Sequence, residues 1–291
     1  ENGRKQPSGK RCENYKGKIS GMKKLLFVLL PFWVCMSGVK AEKYKYVVLE
    51  TNQGVIKLKL YEDTPLHSDN FTKLVKEKHY DGLLFHRVIE GFMIQGGSSD
   101  SRNAEKGKAL GMGDPGYTVE AEIRPGHFHE KGALCAARQG DAVNPEKRSS
   151  GEQFYIVQGK TYTDEELNRL EQGRLMNAKN RLGMKLFQPK QEKMRQYMAT
   201  GQQAKADSLV RGIQTEIEAQ FKDYTAHLIP AEKREVYKTM GGTPFLDGEY
   251  TVFGEVVEGL DIVDKIAAQK TGANDRPEED VIILKAKLSK K

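Results

Sequence analysis

The chain of 291 residues is poor in cysteine, contains one tryptophan and has no long apolar run. No stretch approaches the roughly 20 apolar residues that a membrane-spanning helix needs, so we expect no stable membrane span. The cysteines are Cys12, Cys35 and Cys135. The small and apolar neighbours of Cys135 favour a buried side chain over a reactive thiol. The sequence also lacks a glycine-rich loop of the kind that binds phosphates.

The charge of the chain is balanced outside its first part. The formal net charge is +7, from 47 Lys or Arg and 40 Asp or Glu. Residues 1–41 hold nine basic and two acidic residues, which leaves 38 of each kind in the remainder. The basic excess is therefore confined to one segment, and the electrostatic footprint of a nucleic-acid-binding protein is missing. We expect no nucleic-acid partner.

Residues 22–41 have the pattern of an export signal, with two lysines, the apolar run Leu25–Met36 and small residues up to Ala41. A membrane anchor fits this short run less well, and a lipid anchor on Cys35 is disfavoured because bulky residues precede it. We expect residues 1–21 to be an upstream extension and the mature protein to be exported, to the periplasm or cell envelope of a bacterium. Cleavage after Ala41 leaves one cysteine and hence no internal disulfide.

Short apolar segments separated by loops rich in Gly, Pro and Asn dominate the rest, which is typical of a barrel or sandwich. Residues 44–51 and 55–60 predict an antiparallel hairpin, because apolar and polar residues alternate in the second run. Thr64 offers an N-cap before Pro65 and predicts a helix, and a second helix is expected at 260–266. Further strands are expected within 83–89, 92–95, 132–137, 153–158, 250–257 and 281–288.

Residues 163–240 differ in composition from their flanks. They are rich in Glu, Gln, Lys, Arg, Ala and Met and show no strand alternation. This predicts two or three helices inserted between strands, with breaks at Pro189 and Pro230. The methionines of this segment either fill the seam between the helices, which we favour, or form an adaptable exposed surface. They are Met176, Met184, Met194, Met198 and Met240.

The strongest functional signal lies between Phe85 and Gly97. Two short strands meet at a Glu-Gly turn, and alternation places Phe85 with Arg87 on one face and Met93 with Gln95 on one face. A cation, an amide and apolar side chains therefore converge on a small patch. Taken alone, the pattern equally allows Arg87 to be a solvated strand residue.

The segment 85–97 resembles a signature of the cyclophilins, and three further segments match that family in order and spacing: 132–138, 150–156 and 245–254. The resemblance extends from about residue 44 to 288, apart from the helical segment. It implies a cyclophilin-like domain over 42–291 that is interrupted by a helical insertion at 163–240. The implied fold is mainly β, a closed eight-stranded antiparallel barrel capped by two helices, with a proline pocket on its outer face.

The resemblance also implies peptidyl-prolyl cis/trans isomerase activity, with Arg87, Phe92 and Gln95 as the catalytic residues. The implied pocket residues are Arg87, Phe92, Met93, Gln95, Ala137, Arg138, Gln153, Phe154, Leu246 and Tyr250. Phe245 stands where eukaryotic members usually have Trp, and Tyr250 stands where they usually have His. These departures imply retained activity with weak cyclosporin binding. Arg138 replaces a common Asn at a position where the family uses mainly the backbone.

The chemistry of an X-Pro bond suits these residues. The bond prefers trans by only about 0.5–1 kcal/mol but rotates over a barrier of about 20 kcal/mol, because rotation breaks amide resonance. Lowering that barrier needs no nucleophile, metal or general base, and we expect no cofactor. Apolar side chains can seat the proline ring, while the protonated Arg87 donates to the prolyl nitrogen. We expect Gln95 and Gln153 to hold the guanidinium or the peptide carbonyl, and backbone near Ala137 to pair with the residue before proline.

One alternative function is a proline-peptide binding module or chaperone that acts mainly through residues 163–240. The intact pocket favours an enzyme and leaves this alternative as an added role. A zinc site at His127 and His129 lacks a third ligand, so we favour surface histidines in a loop. The expected partners are proline-containing peptides and unfolded exported proteins, and the expected state is a monomer.

Overall fold

The computed structural model describes residues 46–290. The predicted extension and export signal at 1–41 lie outside the described residues. The described chain begins with the predicted hairpin, in which β1 (Tyr46–Thr51) pairs antiparallel with β2 (Gly54–Leu60). From Ile56 onward, every second residue of β2 is buried, which is the alternation that the sequence indicated.

The remaining elements alternate short strands with helices, and each predicted strand segment contains or overlaps a strand. In chain order they are α1 (Pro65–Lys76), β3 (Arg87–Ile89), β4 (Met93–Gly96), β5 (Thr118–Val119), β6 (Ala133–Ala136), β7 (Ser149–Ser150), β8 (Phe154–Val157), α2 (Asp164–Phe187), α3 (Gln191–Ala199), α4 (Gln203–Phe221), α5 (Ala231–Thr239), β9 (Val252–Glu258), α6 (Leu260–Ala267) and β10 (Ile283–Ser289).

Eight strands form one curled antiparallel sheet in the order β10-β1-β2-β9-β6-β8-β4-β3, and β5 and β7 pair separately. The edge strands β3 and β10 do not pair with each other as strands. The segments beside them are joined by a bridge between Leu84 and Ile282, and the N–H of Phe85 donates to the carbonyl of Val281 at 2.9 Å. The sheet is a half-barrel, and the predicted closed barrel is not confirmed.

Helices α1 and α6 pack against the inner face of the sheet. Phe71 and Leu74 of α1 and Val263 and Ile266 of α6 belong to the same buried apolar cluster as the inward residues of the strands. The start of α1 differs from the prediction, because the side chain of Thr64 makes no capping hydrogen bond. A carboxylate distant in sequence, that of Glu122, replaces it.

The first backbone N–H groups of α1 donate to the buried Glu122. The N–H of Leu66 lies 3.1 Å from Oε1, and that of His67 lies 3.0 Å from Oε2. An anion at this position also interacts favourably with the positive end of the helix dipole. The Thr-Pro pattern therefore predicts where the helix begins but not which group caps it.

Four helices, α2–α5, occupy the segment in which two or three were expected. Pro189 lies in the 3₁₀ turn between α2 and α3, and Pro230 directly precedes α5. Helix α2 begins with a capping box, in which Thr163 accepts from the N–H of Glu166 and the Glu166 carboxylate accepts from the N–H of Thr163. No helix within residues 46–290 combines the length and apolar character needed to cross a bilayer.

The seam between these helices is formed by branched residues instead of methionines. Ile213 and Ile217 of α4 are 8% exposed, as their four-residue spacing predicts. Met176, Met184, Met198 and Met240 are 51–66% exposed. The interpretation that methionines fill the seam is therefore wrong for these four, because the β-branched isoleucines already occupy the contacts between α2 and α4.

The helical segment leaves and rejoins the sheet domain at one point. Lys160 and Gly242 form an antiparallel bridge, with N···O distances of 3.0 and 3.3 Å. A Cβ on Gly159 would lie 2.4 Å from the Cα of Gly242, and Gly159 has a φ of +66°. Only glycine permits this close approach of the two backbones.

Candidate active site

A cavity of about 520 Å³ opens on the outer face of the sheet, beside β3 and β4. This face has its own apolar cluster, which includes Met93, Cys135 and Val252 and is separate from the inner core. Eight of the ten residues that the sequence pointed to line the cavity: Arg87, Phe92, Met93, Gln95, Ala137, Arg138, Leu246 and Tyr250.

Strand pairing brings Arg87 and Gln95 together, since their Cα atoms are direct partners in β3 and β4. Gln95 Nε2 donates to Gln153 Oε1 at 3.1 Å. Gln153 does not line the cavity, and its Nε2 donates to the carbonyl of Gly111 at 3.0 Å. Gln153 therefore orients Gln95 from behind. The expectation that either amide holds the guanidinium is not met, because Arg87 has another partner.

That partner is Asp275, whose Oδ2 accepts from Arg87 Nε at 3.2 Å. Asn274 and Asp275 both have φ of +59°, a left-handed conformation that Asn and Asp tolerate better than other non-glycine residues. This turn directs the Asp275 carboxylate into the cavity. Sequence reasoning missed it because 188 residues separate the two side chains and an Asn-Asp pair carries no distinctive motif.

Phe154 does not lie at the cavity, so its prediction as a substrate-binding residue is wrong. It is 1% exposed in the inner core and meets Phe71, Tyr80 and Phe85 edge-on at centroid distances of 5.3–5.9 Å. Alternation along β8 turns the next residue, Tyr155, to the outer face, where it lines the cavity. Strand β8 is buried on both faces, and its apolar pattern could not distinguish the two.

Comparison with known proteins agrees with this geometry. The family model "Cyclophilin type peptidyl-prolyl cis-trans isomerase/CLD" matches residues 46–185 and 231–288. The chain belongs to the cyclophilin family. Relatives in Staphylococcus epidermidis and Staphylococcus haemolyticus that carry the name of a peptidyl-prolyl cis-trans isomerase are 31% and 30% identical over 241 residues, with 81% of this chain and 88% and 87% of the relatives covered.

A crystal structure of a Cryptosporidium parvum cyclophilin-type peptidyl-prolyl cis-trans isomerase also matches. The match covers 85% of this chain and 99% of that one, with 17% identity and a TM-score of 0.49. Between the two matched ranges of this cyclophilin, residues 186–230 contain α3 and α4.

A buried polar network supports Tyr155 at the cavity wall of this cyclophilin. The Tyr155 hydroxyl lies 3.0 Å from His129 Nε2, and His129 Nδ1 lies 3.1 Å from Asp247 Oδ1. An ionised carboxylate only accepts, so His129 Nδ1 carries a proton and donates to Asp247, while Nε2 is paired with the Tyr155 hydroxyl. His129 is 1% exposed, which corrects the expectation of a surface histidine.

Asp247 connects this network to the inserted helices. Its Oδ2 accepts from the hydroxyl of Tyr237 in α5 at 2.7 Å. Burial alone would raise the pKa of Asp247, but hydrogen bonds and the proximity of His129 outweigh it and hold the pKa below its usual value. Burial raises the pKa of Tyr237. The residues therefore form a chain from α5 to the cavity wall, with the negative charge on Asp247.

Arg138 is a structural cation beside Tyr250 at the cavity. Its guanidinium lies 4.6 Å from the centroid of the Tyr250 ring, and its Nε donates to the carbonyl of Glu249 at 2.8 Å. The backbone N–H and carbonyl of Ala137 are engaged with Gln153 and Ser150. Within residues 46–290, the backbone of Arg138 makes no backbone hydrogen bond, so the free peptide group lies one residue beyond Ala137.

His86 lies behind Arg87 at the inner end of the cavity. The residue is buried, and neither ring nitrogen has a hydrogen-bond partner within residues 46–290. Burial lowers the pKa of His86 from 6.5 to about 4, against the opposing effect of Asp100. The imidazole is therefore neutral near pH 7. In the same described region, no group of three or more His, Cys, Asp or Glu side chains is arranged to hold a metal ion.

Proposed function

We propose that this cyclophilin accelerates cis–trans rotation of X-Pro bonds in exported proteins as they fold. The observation that carries the proposal is the position of the Arg87 guanidinium at the wall of a cavity that also contains Phe92, Met93 and Leu246. Uncatalysed prolyl isomerisation takes tens of seconds and can limit folding. A cavity that combines an apolar seat with one fixed cation suits that reaction.

In the proposed mechanism, Phe92, Met93 and Leu246 hold the proline ring, and Tyr155 takes the place first assigned to Phe154. Arg87 donates to the prolyl nitrogen when rotation localises its lone pair. A guanidinium remains protonated and has donors in fixed directions, so this stabilisation requires little reorganisation. Asp275 restricts the orientation of Arg87, which is 41% exposed.

The peptide backbone on either side of the proline also needs partners. The backbone groups of Arg138 are available to pair with the residue before proline, in place of those of Ala137. Gln95 is fixed through Gln153, which accepts one of the two Nε2 hydrogens, so the second remains as a donor beside the cavity. We assign it the role of orienting the proline carbonyl region relative to Arg87.

The cellular setting is proposed from the sequence. The export pattern at 22–41, with a mature chain starting after Ala41, supports secretion to the periplasm or envelope of a bacterium. The domain limits 42–291, with the helical insertion at 163–240, and the monomeric state belong to the same proposal. The proposed partners are proline-containing peptides and unfolded exported proteins.

The test is the cis-to-trans rate of a proline tetrapeptide with the full chain and with its Arg87→Ala variant. Each 1.4 kcal/mol of selective transition-state stabilisation is worth about tenfold in rate, so we expect the variant to lose about one to three orders of magnitude in kcat/KM. The control is Arg169→Ala, which removes a cation from the exposed face of α2. Equal rates for wild type and Arg87→Ala would refute the assigned role of Arg87.

A second candidate role, as a chaperone acting through α2–α5, is favoured by the exposure of four methionines. Flexible thioether side chains on a surface suit promiscuous apolar contacts. The assay is the suppression of aggregation of an unfolded protein by wild type and by a variant with Met176, Met184 and Met198 changed to Gln. Unchanged suppression by this variant would exclude the methionines from such a role.

A further inference from the structure

A second cavity, of about 420 Å³, lies between the inserted helices and the sheet domain. Helix α2 contributes Arg174, Asn177 and Arg181, and the segment after α4 contributes Tyr224 and His227. Phe245 and Asp247 form part of the other side. We call this space the insert cavity. We call the first cavity, which Arg87 and Phe92 line, the proline cavity. The insert cavity exists because the helices α2–α5 face residues 245–250, which also border the proline cavity.

The two cavities share the segment 245–250 as a wall. Phe245, Asp247 and Glu249 line the insert cavity, while Leu246 and Tyr250 line the proline cavity. The rings of Phe245 and Phe92, one from each cavity, are 5.6 Å apart. An extended peptide rises about 3.3 Å per residue, so a chain with its proline against Phe92 reaches the insert cavity within a few residues.

The carboxylates of the insert cavity already have cationic or hydrogen-bonding partners. Asp247 accepts from His129 and Tyr237, as described above. Asp141 pairs with Arg138 at 2.8 Å, and Glu249 pairs with Lys147 at 2.5 Å. Both of these partner cations lie outside the cavity lining. Asp141 and Glu249 are therefore neutralised by cations, and the charge of Asp247 is held by hydrogen bonds, which leaves little demand for a cationic ligand.

The donors of the insert cavity are less fully used. Arg174 donates to the carbonyl of Pro244 and lies 3.8 Å from Asp247. Arg181 forms no ion pair and no hydrogen bond within residues 46–290, and Nδ1 of His227 is buried without a partner there. The His227 ring stacks on Tyr224 at 5.7 Å, which fixes its plane. The Arg181 guanidinium thus remains free to bind a ligand on this cavity wall, beside the stacked His227 and Tyr224 rings.

From this arrangement we propose that the insert cavity binds a carboxylate side chain, Asp or Glu, of the same peptide whose proline occupies the proline cavity. The inference rests on the proposed isomerase function and adds a substrate class to it: prolyl peptides with an acidic residue a few positions from the proline. Arg181 supplies the charge, and Asn177 supplies a further hydrogen-bonding group. The helical insertion then contributes substrate selection to the sheet domain.

The test uses the full chain and a set of heptapeptides with a central proline. Each peptide carries a single Glu, Gln or Lys, placed in turn at each of the three positions before and the three positions after the proline. At one or two adjacent positions, we expect Glu to give about two- to fivefold higher kcat/KM than Gln, the range for a partly exposed ion pair. The gain is expected in KM, because the contact is present in substrate and transition state alike.

Three variants test whether Arg181 causes the preference for Glu over Gln. In Arg181→Ala, we expect the Glu and Gln peptides to have equal kcat/KM. In Arg181→Glu, we expect the Lys peptide to have a higher kcat/KM than the Glu peptide at the same position. Lys185→Ala removes an equal charge from α2 outside the cavity lining, and we expect it to keep the wild-type ratio. Added salt should reduce the ratio, since screening weakens exposed ion pairs.

A preference for Glu that survives in Arg181→Glu, or no preference at any position, would overturn the proposal. If no peptide is isomerised at all, the proposed function fails, and direct binding then tests the insert cavity alone. Tighter binding of the Glu peptide than of the Gln peptide, lost in Arg181→Ala, would support the subsite even in that case. Equal binding of both peptides would refute it.

Discussion

Replacing Tyr155 by Phe removes one hydroxyl from the cavity wall and keeps the ring, and we expect this change to destabilise the folded chain. The hydroxyl is the hydrogen-bond partner of His129 Nε2 at 3.0 Å. His129 is 1% exposed, so water cannot take the place of the lost hydroxyl. The other ring nitrogen of His129 already donates to Asp247. The variant therefore leaves the buried Nε2 of His129 without a partner.

The cost of an unsatisfied buried polar group is about 1–3 kcal/mol. With a urea m-value of about 2 kcal/mol/M, the unfolding midpoint should fall by about 0.5–1.5 M. The assay is urea unfolding of the full chain, followed by circular dichroism. Tyr250→Phe is the matched control, because the Tyr250 hydroxyl makes no hydrogen bond within residues 46–290.

The double variant Tyr155→Phe with His129→Asn provides a second check. Asn can still donate to Asp247 from a position similar to Nδ1, but it does not reach Tyr155. The ring nitrogen that Tyr155→Phe leaves without a partner is absent in this variant, so the two changes should cost less together than the sum of their separate costs. Additive costs, or an unchanged midpoint in Tyr155→Phe, would refute the network as we describe it.

Three further changes test other parts of the structure. Phe154→Ala should lower the free energy of unfolding by about 3–5 kcal/mol, because the ring lies in the inner core, and the folded variant should keep near-normal kcat/KM. A loss of kcat/KM without a loss of stability would show that Phe154 does contact the substrate. His86→Leu should flatten the stability of the protein between pH 6.5 and 4. In wild type, the folded pKa of His86 is about 4, so between pH 6.5 and 4 the unfolded chain binds a proton that the folded chain excludes. As the pH decreases through this range, the free energy of unfolding of wild type should therefore decrease by about 3 kcal/mol more than that of the variant. Thr163→Ala should cost about 1 kcal/mol at the start of α2, visible as faster hydrogen exchange of the first-turn amides; unchanged exchange would contradict the capping box.

Much of the fold could be predicted because local patterns and the family motifs agreed. The alternation in β2 predicted its buried face, and the spacing of Ile213 and Ile217 predicted the contact surface of α4. Arg87 and Gln95 could be placed together from the short turn between their strands. In each case, the partner that stabilises the element lies nearby in sequence or follows from a simple period.

The features that were missed depend on partners distant in sequence. Glu122 caps α1 and Asp275 holds Arg87, each without a local pattern that indicates its partner. Phe154 and Tyr155 were exchanged because both faces of β8 are buried. The exposure of the methionines depended on which helical residues fill the seam, and hydrophobicity alone could not decide this.

The bridge between Lys160 and Gly242 has a consequence for how proteins of this architecture can diversify. Segments whose ends lie close together can be inserted or exchanged with little effect on the host fold. The two residues are joined by their own backbone hydrogen bonds, so the ends of the insertion meet within the sheet domain and not among the helices. One reaction centre can therefore be combined with different neighbouring surfaces, and recognition can evolve without altering the residues that perform the chemistry.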